Sequence, residues 1–441
     1  MSPAKEEQER EESRHPESAG NFGSIAEYFA RVRSFSRNAR LYLLVAFLIG
    51  YNFSVFNLMF NLYMKEVGYL EGQIGLINSW RAFGMTLIAI PAAILISRMR
   101  LKPNLLVFSI LFAVFSFGLI ETGNLIAMGA FAAFAGMSHA FFRVAAGPFY
   151  MRNSTIHERT HLFSFSFAMH ILAGIIGSFI AGQSVTFFEG LTDSSALAYK
   201  YTLFVAIGIS LLSIIPILMI KASDPSPEES LLKLSLDQLR RRGKFYFQIT
   251  FSNFLVGLGA GLIIPFLNLY FRDRFSLSAE RISFYYILMS VGMVAGTLAG
   301  PLLTPRLGLI RTIVLTQVVS IPFMLTLAYT NSLYLAVPAF VFRAGLMNMG
   351  VPIGNNFGME LSEKQERALV NALLMIAWTS SWMISVALGG YLIERYGYTL
   401  VLNISAGLYV LSSLVYYRFF SRVEQRKPSG QGWHIPTETR I

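Results

Sequence analysis

Two stretches of this 441-residue chain resemble each other and determine how the rest of it is interpreted. NLYMKEVGYLEGQIG occupies residues 61–75, and NLYFRDRFSLSAERIS at residues 268–283 matches it when one residue is inserted. Asn61 and Asn268 are 207 positions apart (268 − 61). Two further pairs keep a similar spacing: Arg98 with Arg306 at 208 (306 − 98) and Arg143 with Arg343 at 200 (343 − 143). The chain is therefore predicted to consist of two halves with the same order of segments.

Both stretches follow long apolar runs, in a chain that is too apolar for a soluble protein. Apolar residues make up 54% of the chain and charged residues 14%, against roughly 45–50% and about 25% in soluble domains. A helix needs about 20 apolar residues to cross a hydrocarbon core of about 30 Å. We therefore predict an all-α polytopic membrane protein with about twelve transmembrane helices in two pseudo-symmetric six-helix bundles. The predicted spans are 41–64, 72–97, 104–121, 125–150, 162–188, 200–220, 245–271, 279–304, 310–329, 332–354, 367–393 and 398–419.

The loops between the spans differ in charge. With the N-terminus in the cytoplasm, the inner segments carry most of the basic residues, which is the usual orientation of membrane proteins. The basic residues of the outer segments are Lys65, Lys200, Arg272, Arg274, Arg281 and Arg395. We expect a multi-pass monomer in a cell membrane, such as the bacterial inner membrane, with both termini cytoplasmic. The acidic start has no apolar segment of the signal-peptide type, so no cleaved leader is expected.

The polar segments divide the chain further. An amphipathic helix is predicted at residues 25–35, where apolar residues recur at helical spacing beside arginines, and a partly ordered linker is the alternative. The predicted domains are a cytoplasmic tail at 1–40, bundles at 41–220 and 245–420, a cytoplasmic linker at 221–244 and a cytoplasmic tail at 421–441.

Composition also limits the chemistry. The chain contains no cysteine, which excludes disulfides, thiolate metal sites and cysteine nucleophiles. Its six histidines show no metal-ligand spacing. We attribute the net charge of +11 to basic cytoplasmic loops rather than to nucleic-acid binding. The expected partners are therefore membrane lipids and a small-molecule substrate, with no metal, cofactor or nucleic acid.

The loop after span 2 resembles the signature G-x-L-x-D-R-x-G-R-R/K of the major facilitator superfamily of secondary transporters, and the loop after span 8 resembles it again. The matching residues are Leu95, Arg98 and Lys102 in the first copy and Leu303, Arg306 and Gly308 in the second. Ser97 and Pro305 replace the aspartate of the family. Arg143 and Gly147 meet a further family signature, R-x-x-x-G, in span 4. Span 5 lacks the proline of the Gly-Pro motif typical of efflux antiporters, which weakens that branch of the family.

The resemblance implies two bundles that rock about a binding site at the midplane, the mechanism called alternating access. It also places Arg98 and Arg306 in a cytoplasmic gate, although the charge-paired form of that gate requires the missing aspartate. At the outer ends of spans 1 and 7, Glu66 and Asp273 hold equivalent positions beside Lys65 and Arg272, and we predict that these residues close an extracellular gate by pairing between the halves. Solvated interfacial charges are the alternative for these two residues.

Three arginines lie inside spans rather than at their ends: Arg81, Arg143 and Arg343. A charged side chain at the centre of a bilayer costs about 2.5–3.5 kcal/mol even on the lenient insertion scale. No carboxylate lies in the middle of a predicted span, so a cavity that holds these arginines has a positive potential. A guanidinium binds carboxylate or phosphate with two parallel hydrogen bonds, which predicts an anionic substrate. The alternative is that the arginines bind helix carbonyls or neighbouring Asn and Ser side chains.

Other polar and aromatic residues on the spans are expected to line the same cavity. They are Tyr51, Asn57, Trp80, Asn253, Asn268, Asn348 and Trp378. The alternative for each of them is an interhelical hydrogen bond or an aromatic ring at the lipid interface.

Two histidines are the candidates for proton coupling, because histidine titrates near neutral pH and the spans lack an embedded carboxylate. His139 lies one helical turn before Arg143, which favours its neutral form, and His170 lies in span 5. The alternative is a buried histidine that only forms hydrogen bonds, and exchange of one anion for another needs no titrating side chain.

The predicted function is a secondary active transporter that moves a small anionic organic solute by alternating access. An exporter or flippase of an amphiphilic, lipid or drug-like compound is the alternative, since the chain is rich in Phe and Met. A transporter-derived sensor or a polytopic membrane enzyme ranks lower, because the cytoplasmic segments are short and no nucleophile or metal site was found.

Overall fold

The computed structural model describes residues 35–154, 156–221, 242–362 and 367–424. The predicted amphipathic helix, apart from Phe35, lies outside these residues. The same holds for most of the predicted linker at 221–244 and of the tail at 421–441.

The described residues are helical and contain no strand. We number the membrane-spanning helices α1 to α12 in chain order. Their bounds are α1 Arg37–Val67, α2 Glu71–Arg98, α3 Leu101–Glu121, α4 Leu125–Arg152, α5 Ile156–Glu189, α6 Ser195–Leu211 with its extension Ile214–Met219, α7 Gly243–Ile263 with its extensions Ile264–Phe266 and Leu267–Phe275, α8 Ala279–Leu307, α9 Leu309–Tyr329, α10 Leu333–Glu360, and α11 and α12 within Arg367–Glu424.

The last helical range holds two membrane crossings. Eleven helices of the described chain are long and apolar enough to span a membrane, and the eleventh, Leu369–Ser421, has 53 residues. Such a helix is about 80 Å long, far more than a hydrocarbon core of about 30 Å requires. Gly397, with φ 76° and ψ 175°, interrupts it. Residues 367–396 therefore form α11 and residues 398–424 form α12, which confirms the predicted all-α fold with about twelve spans.

Helix ends follow local sequence signals. The side chain of Asn124 accepts hydrogen bonds from the backbone N–H groups of Ile126 and Ala127 and so caps α4. Gly68, with φ 101°, ends α1 in the left-handed conformation that glycine adopts without strain. Such caps let short loops turn the chain back at each membrane surface.

Small residues set the register of the helix pairs within each half. Gly84 of α2 lies against Ala133 of α4, and Gly292 of α8 lies against Val341 of α10. Gly292 follows Gly84 by 208 positions (292 − 84), and Val341 follows Ala133 by the same number (341 − 133), so the two contacts are related by the repeat. Arg143 and Arg343 are 200 positions apart, so our prediction that they are equivalent is wrong: Arg343 corresponds to Ala135 (343 − 208).

We call the end of the molecule that bears the α1–α2 loop the distal end, and the opposite end, where α1 begins and α12 finishes, the proximal end. Hydrogen bonds and ion pairs between the halves, where both partners are described, lie in the distal part of the molecule. They connect Asn61 to Pro265, Asn268 to Leu58, Arg272 to Glu66, Gly72 to Glu394, Ser79 to Met383 and Gln183 to Glu280.

The apolar cores repeat this asymmetry between the two ends. One buried cluster joins the distal parts of both halves and includes Met59 of α1 and Phe266 of the 3-10 turn in α7. Towards the proximal end the halves have separate clusters, one around Phe141 and the other around Phe357. Among the described residues, the halves are therefore joined at the distal end and have separate apolar cores towards the proximal end.

The distal seam between the halves is built on small residues. Gly75 of α2 packs against Gly390 of α11, and Gly182 of α5 packs against Ser283 of α8. Close helix contact through small residues is typical of membrane proteins, because it brings backbones into van der Waals contact.

Gly84→Ala is expected to destabilise the protein by about 1–3 kcal/mol, because the added methyl group would overlap the backbone of Ala133. The measurement is thermal unfolding of the purified protein in detergent. Gly208→Ala is the matched control, since a methyl group at Gly208 meets nothing within 4 Å. Equal melting temperatures for the two variants would contradict the proposed role of this contact.

Candidate substrate cavity

Two of the three arginines lie at the same depth. Arg81 and Arg343 each follow the distal start of their helix, Glu71 and Leu333, by ten residues. At 1.5 Å per residue, both lie about 15 Å from the distal end. Arg143 follows the start of α4 by 18 residues, which places it about 27 Å from the distal end. The arginines therefore occupy two levels below the distal closure.

Arg81 binds neutral partners. Its Nη2 donates to Oδ1 of Asn57 at 2.7 Å and to Oδ1 of Asn78 at 3.0 Å. Its Cζ lies 5.5 Å from the ring centroid of Phe53, a favourable cation–π distance. These contacts hold the guanidinium in place without neutralising its charge.

Arg343 is the most enclosed of the three. Only 2% of it is exposed, and its Nε and Nη1 atoms have no hydrogen-bond partner in the described part of the chain. Tyr286 and Tyr409 lie within electrostatic range of it. A buried donor without a partner costs about 1–3 kcal/mol, and a charged donor costs more. This arginine therefore provides unused donors in an apolar surrounding.

Arg143 and two histidines form the more proximal level. Arg143 is exposed and makes no hydrogen bond or ion pair with a described residue. His139 is buried, and its ring stacks on Phe53 with centroids 3.9 Å apart. Its Nδ1 has no partner among the described residues. The exposed His170 and Arg143 are within electrostatic range of each other.

Carboxylates are confined to the ends of the described helices. At the distal end they are Glu66, Glu71, Glu121, Glu189, Asp193, Asp273, Glu280 and Glu394. The middle of the described helices thus contains arginines and histidines without an acidic partner. Fixed charges of one sign between low-dielectric walls produce a strong potential, which here is positive.

The clearest contact between the halves is a reciprocal pair of asparagines, which we call the distal clasp. Asn61 Nδ2 donates to the backbone carbonyl of Pro265 at 2.6 Å, and Asn268 Nδ2 donates to the carbonyl of Leu58 at 2.7 Å. The acceptors and the donors are each 207 positions apart (265 − 58 and 268 − 61), so the two bonds are related by the internal repeat. Both asparagines are buried.

Asn268 therefore does not fit its predicted place in the substrate cavity. Its Oδ1 accepts from the backbone N–H of Leu269 at 2.9 Å, so the bond to Leu58 occupies the other side of the amide. The interhelical hydrogen bond, which was the alternative for this residue, is what the structure contains.

Two aromatic residues that were predicted to line the cavity, Trp80 and Tyr51, also lie in other places. Trp80 is 44% exposed and shares a helix face with the exposed Leu76 and Leu87, four positions before it and seven after it. This is the outer face of α2, and Gly129 of α4 contacts the indole. Tyr51 is 2% exposed and belongs to the joint apolar core. Neither position fits the predicted cavity role.

The other predicted cavity residues lie as follows. Asn57 is exposed and binds Arg81, whereas Asn348 donates to the carbonyl of Ala344 on its own helix at 2.9 Å. Asn253 of α7 is half-buried and makes no side-chain hydrogen bond with a described residue. Trp378 of α11 is half-buried beside Gly257 of α7. Of these, Asn57 is in contact with an arginine of the cavity.

The predicted gate residues divide between the two ends. Glu66 binds Arg272 across the halves at 2.6 Å, whereas Asp273 accepts a hydrogen bond from Tyr398 of its own half. Glu66 thus forms an ion pair between the halves, whereas the contacts of Asp273 with described residues stay within its own half. Arg306 is exposed at the proximal end of α8, and the side chain of Arg98 is not among those described.

Sequence reasoning did not find Asn78, Phe53, Tyr286 or Tyr409. For Asn78 a signal was present, because residues three positions apart on a helix are neighbours and Asn78 precedes Arg81 by three. The aromatic residues gave no comparable signal, since the spans contain many of them.

Comparison with known proteins agrees with this architecture. A sequence model of the Major Facilitator Superfamily matches residues 42–250 and 249–437. No curated protein sequence matches the chain. Among solved structures, the nucleoside transporter NupG is 15% identical with a TM-score of 0.72, and the match covers 87% of this chain and 98% of that one.

Two further structures are similar. A bacterial homolog of the human lysosomal transporter Spinster, in an inward-facing and occupied conformation, is 12% identical with a TM-score of 0.74 over 89% of this chain and 98% of that one. A D-xylose-proton symporter is 14% identical with a TM-score of 0.68 over 89% and 98%. At such identities the structures show a shared fold, and the sequence match extends over both halves. The chain belongs to the major facilitator superfamily and is a membrane transporter.

Proposed function

We propose that this transporter carries a small organic anion, which it binds between its halves through Arg343 and Arg143, with Arg81 and Asn57 at the distal side of the site. The unpartnered donors of the buried Arg343 are the observation that carries this proposal. The carrier then works by alternating access between the two bundles.

Arg343 favours an anionic group over a neutral one. Its guanidinium presents donors in a planar fork. A carboxylate or phosphate on the cargo satisfies two donors with parallel, charge-assisted hydrogen bonds, whereas a neutral hydroxyl offers weaker acceptors. Because no described carboxylate lies at this depth, the cargo supplies the missing negative charge.

The arginines also favour a small cargo that reaches the closed distal end. Arg81 and Arg143 differ in depth by about 12 Å, or two helical turns, so the positive region is longer than a single carboxylate. Nucleosides and D-xylose, which the descriptions of two similar transporters name, are small polar molecules of suitable size. We infer a cargo of that size that carries at least one acidic group.

The separation of the halves at the proximal end corresponds to an inward-facing state under the predicted orientation. Loop charges place both termini in the cytoplasm, so the open side of the cavity faces the cytoplasm. His139 and His170 are the candidates that we propose for proton coupling, since both are histidines of membrane-spanning helices in a chain whose described helices carry no carboxylate in their middle.

A thermal-shift screen of the purified protein tests the cargo class. Small carboxylates and organic phosphates are expected to raise the melting temperature, because a ligand at 100 times its Kd stabilises the folded state by about 2.7 kcal/mol. Arg343→Gln is expected to lose this shift, since a neutral amide cannot replace the charge-assisted pair.

Arg311→Gln is the matched control for this screen, because it removes an exposed arginine at the proximal end. It should keep the response of the parent protein. Stabilisation by sugars, cations or amphiphiles that is equal in the parent and in Arg343→Gln would overturn the anion proposal, and a response to amphiphiles alone would favour the exporter or flippase.

A cross-link across the distal seam tests alternating access. A Cβ atom at Gly182 would lie 2.8 Å from Cβ of Ser283, close enough for a disulfide after a small shift. The double variant Gly182→Cys/Ser283→Cys is expected to lose transport in liposomes under oxidation and to regain it with reductant. Ligand-induced thermal shifts should persist, because the site stays open at the proximal end.

The two single-cysteine variants are the controls, and the absence of native cysteine keeps the background free of other thiols. Full transport by the oxidised, cross-linked protein would contradict a mechanism that requires the distal end to open.

A further inference from the structure

We propose that Asn78 is a positioning residue that couples the cargo at Arg81 to the distal clasp, so that an anion bound to Arg81 weakens the closure of the distal end. The inference rests on the proposed function in one respect, namely that the cargo is an anion.

A continuous chain of side-chain hydrogen bonds leads from the cavity to the opposite half. Arg81 Nη2 donates to Asn78 Oδ1 at 3.0 Å, and Asn78 Nδ2 donates to Asn61 Oδ1 at 2.8 Å. Asn61 Nδ2 then donates to the carbonyl of Pro265 across the seam at 2.6 Å. The cargo site and the clasp are thus separated by a single residue, Asn78.

The bonds of this chain run in one direction from end to end. A guanidinium only donates, so Asn78 turns its oxygen towards Arg81 and its nitrogen towards Asn61. The nitrogen of Asn78 also donates to the backbone carbonyl of Ile74 at 3.1 Å. Arg81 at one end and the carbonyls of Ile74 and Pro265 therefore favour the same orientation of both amides, which is the one that closes the clasp.

Burial makes the chain sensitive to the loss of one member. Asn78 is 6% exposed and Asn61 is 3% exposed. Buried hydrogen bonds polarise one another, and a buried acceptor that loses its donor pays the full cost of desolvation. A change at Arg81 is therefore transmitted as a change in the bond to Pro265.

An anion competes directly for the atom at which the chain begins. Arg81 Nη2 is shared between Asn57 and Asn78, which are neutral acceptors. A carboxylate or phosphate is a stronger acceptor for a guanidinium than an amide oxygen is. Cargo that draws Arg81 towards itself leaves the buried Asn78 Oδ1 without its donor, and the bonds from Asn78 to Asn61 and from Asn61 to Pro265 lose the polarisation that Arg81 gives them.

The other bond of the clasp lacks such a link to a side chain of the cavity. Asn268 donates to Leu58, and its oxygen accepts from the backbone N–H of Leu269. The two bonds of the clasp are thus alike in geometry, but only the one from Asn61 is connected through Asn78 to an arginine of the described chain.

The break in α7 makes the bond from Asn61 possible. In an uninterrupted helix the carbonyl of Pro265 would accept from the N–H of Leu269, four residues later. Here residues Ile264–Phe266 form a 3-10 turn, and Leu269 N–H binds the Asn268 side chain instead. The carbonyl of Pro265 is therefore available to Asn61.

Thiol labelling in this cysteine-free chain measures the opening of the distal seam. Ser283→Cys is the reporter, because Ser283 is 2% exposed at the seam and lies outside the hydrogen-bonded chain. Asp193→Cys, at an exposed position in the α5–α6 loop, reports general reactivity. The reagent is a hydrophilic maleimide, and the probes are succinate and glycerol 3-phosphate.

Three substitutions in the reporter background separate the coupling from the clasp itself. Asn78→Leu is expected to raise the basal labelling rate by about tenfold, the factor that corresponds to 1.4 kcal/mol, and to abolish the response to the probes. Asn268→Ala should also raise the basal rate, but it should keep the response. Asn403→Leu removes an amide of α12 outside the chain and should behave like the parent.

Each outcome has one meaning. Labelling in Asn78→Leu that equals the parent rate, without any probe, overturns the proposal. So does a probe that stabilises the parent against heat but leaves its labelling rate unchanged. If neither probe binds, the proposed cargo class fails for these compounds, and the basal rates of Asn78→Leu and Asn403→Leu still decide whether Asn78 supports the clasp. Asn78→Ser replaces Asn78→Leu if the latter does not fold.

Discussion

A guanidinium group inside the hydrocarbon layer needs water, a counter-charge or hydrogen-bond acceptors, and this requirement governs the centre of the protein. Arg81 meets it with two asparagines, and Arg143 is an exposed residue. Arg343 is enclosed with donors left over. Because the described carboxylates lie at the helix ends, the protein keeps the charge of its central cavity instead of neutralising it.

The distal closure combines a large apolar core with a few directed polar contacts. Measured side-chain hydrogen bonds between membrane helices average about 0.6 kcal/mol, so two asparagine bonds and an ion pair add little to the stability of the folded protein. Their effect is on register, because each amide of the clasp meets one particular carbonyl of the other half. A closure of this kind is specific in geometry and weak in energy, as a gate that opens in every cycle must be.

Much of the fold was predictable from the sequence because hydropathy depends only on the length of apolar runs. The twelve spans follow from this, and so does the alignment of Asn61 with Asn268 in the repeat, although Asn268 was predicted to line the cavity and not to join the halves. The rotation of each helix about its own axis could not be predicted from hydropathy. Trp80 lies on the outer face of α2 and Tyr51 lies in the core, because neighbouring helices decide which side of a span faces inward. Similarly, the alignment of α4 with α10 in the repeat is given by packing contacts such as Gly84 with Ala133. The spacing of the arginines along the chain does not give this alignment.

Glycines at the distal seam bear on how the halves move past each other. Gly75 meets Gly390 with backbone against backbone, and Gly182 meets Ser283 and the backbone of Glu280. At these two contacts no large side chain locks one bundle to the other, so the backbones can slide past each other there without rotamer changes. The resistance to reorientation then comes from the apolar core and the polar bonds of the distal end rather than from the glycine contacts.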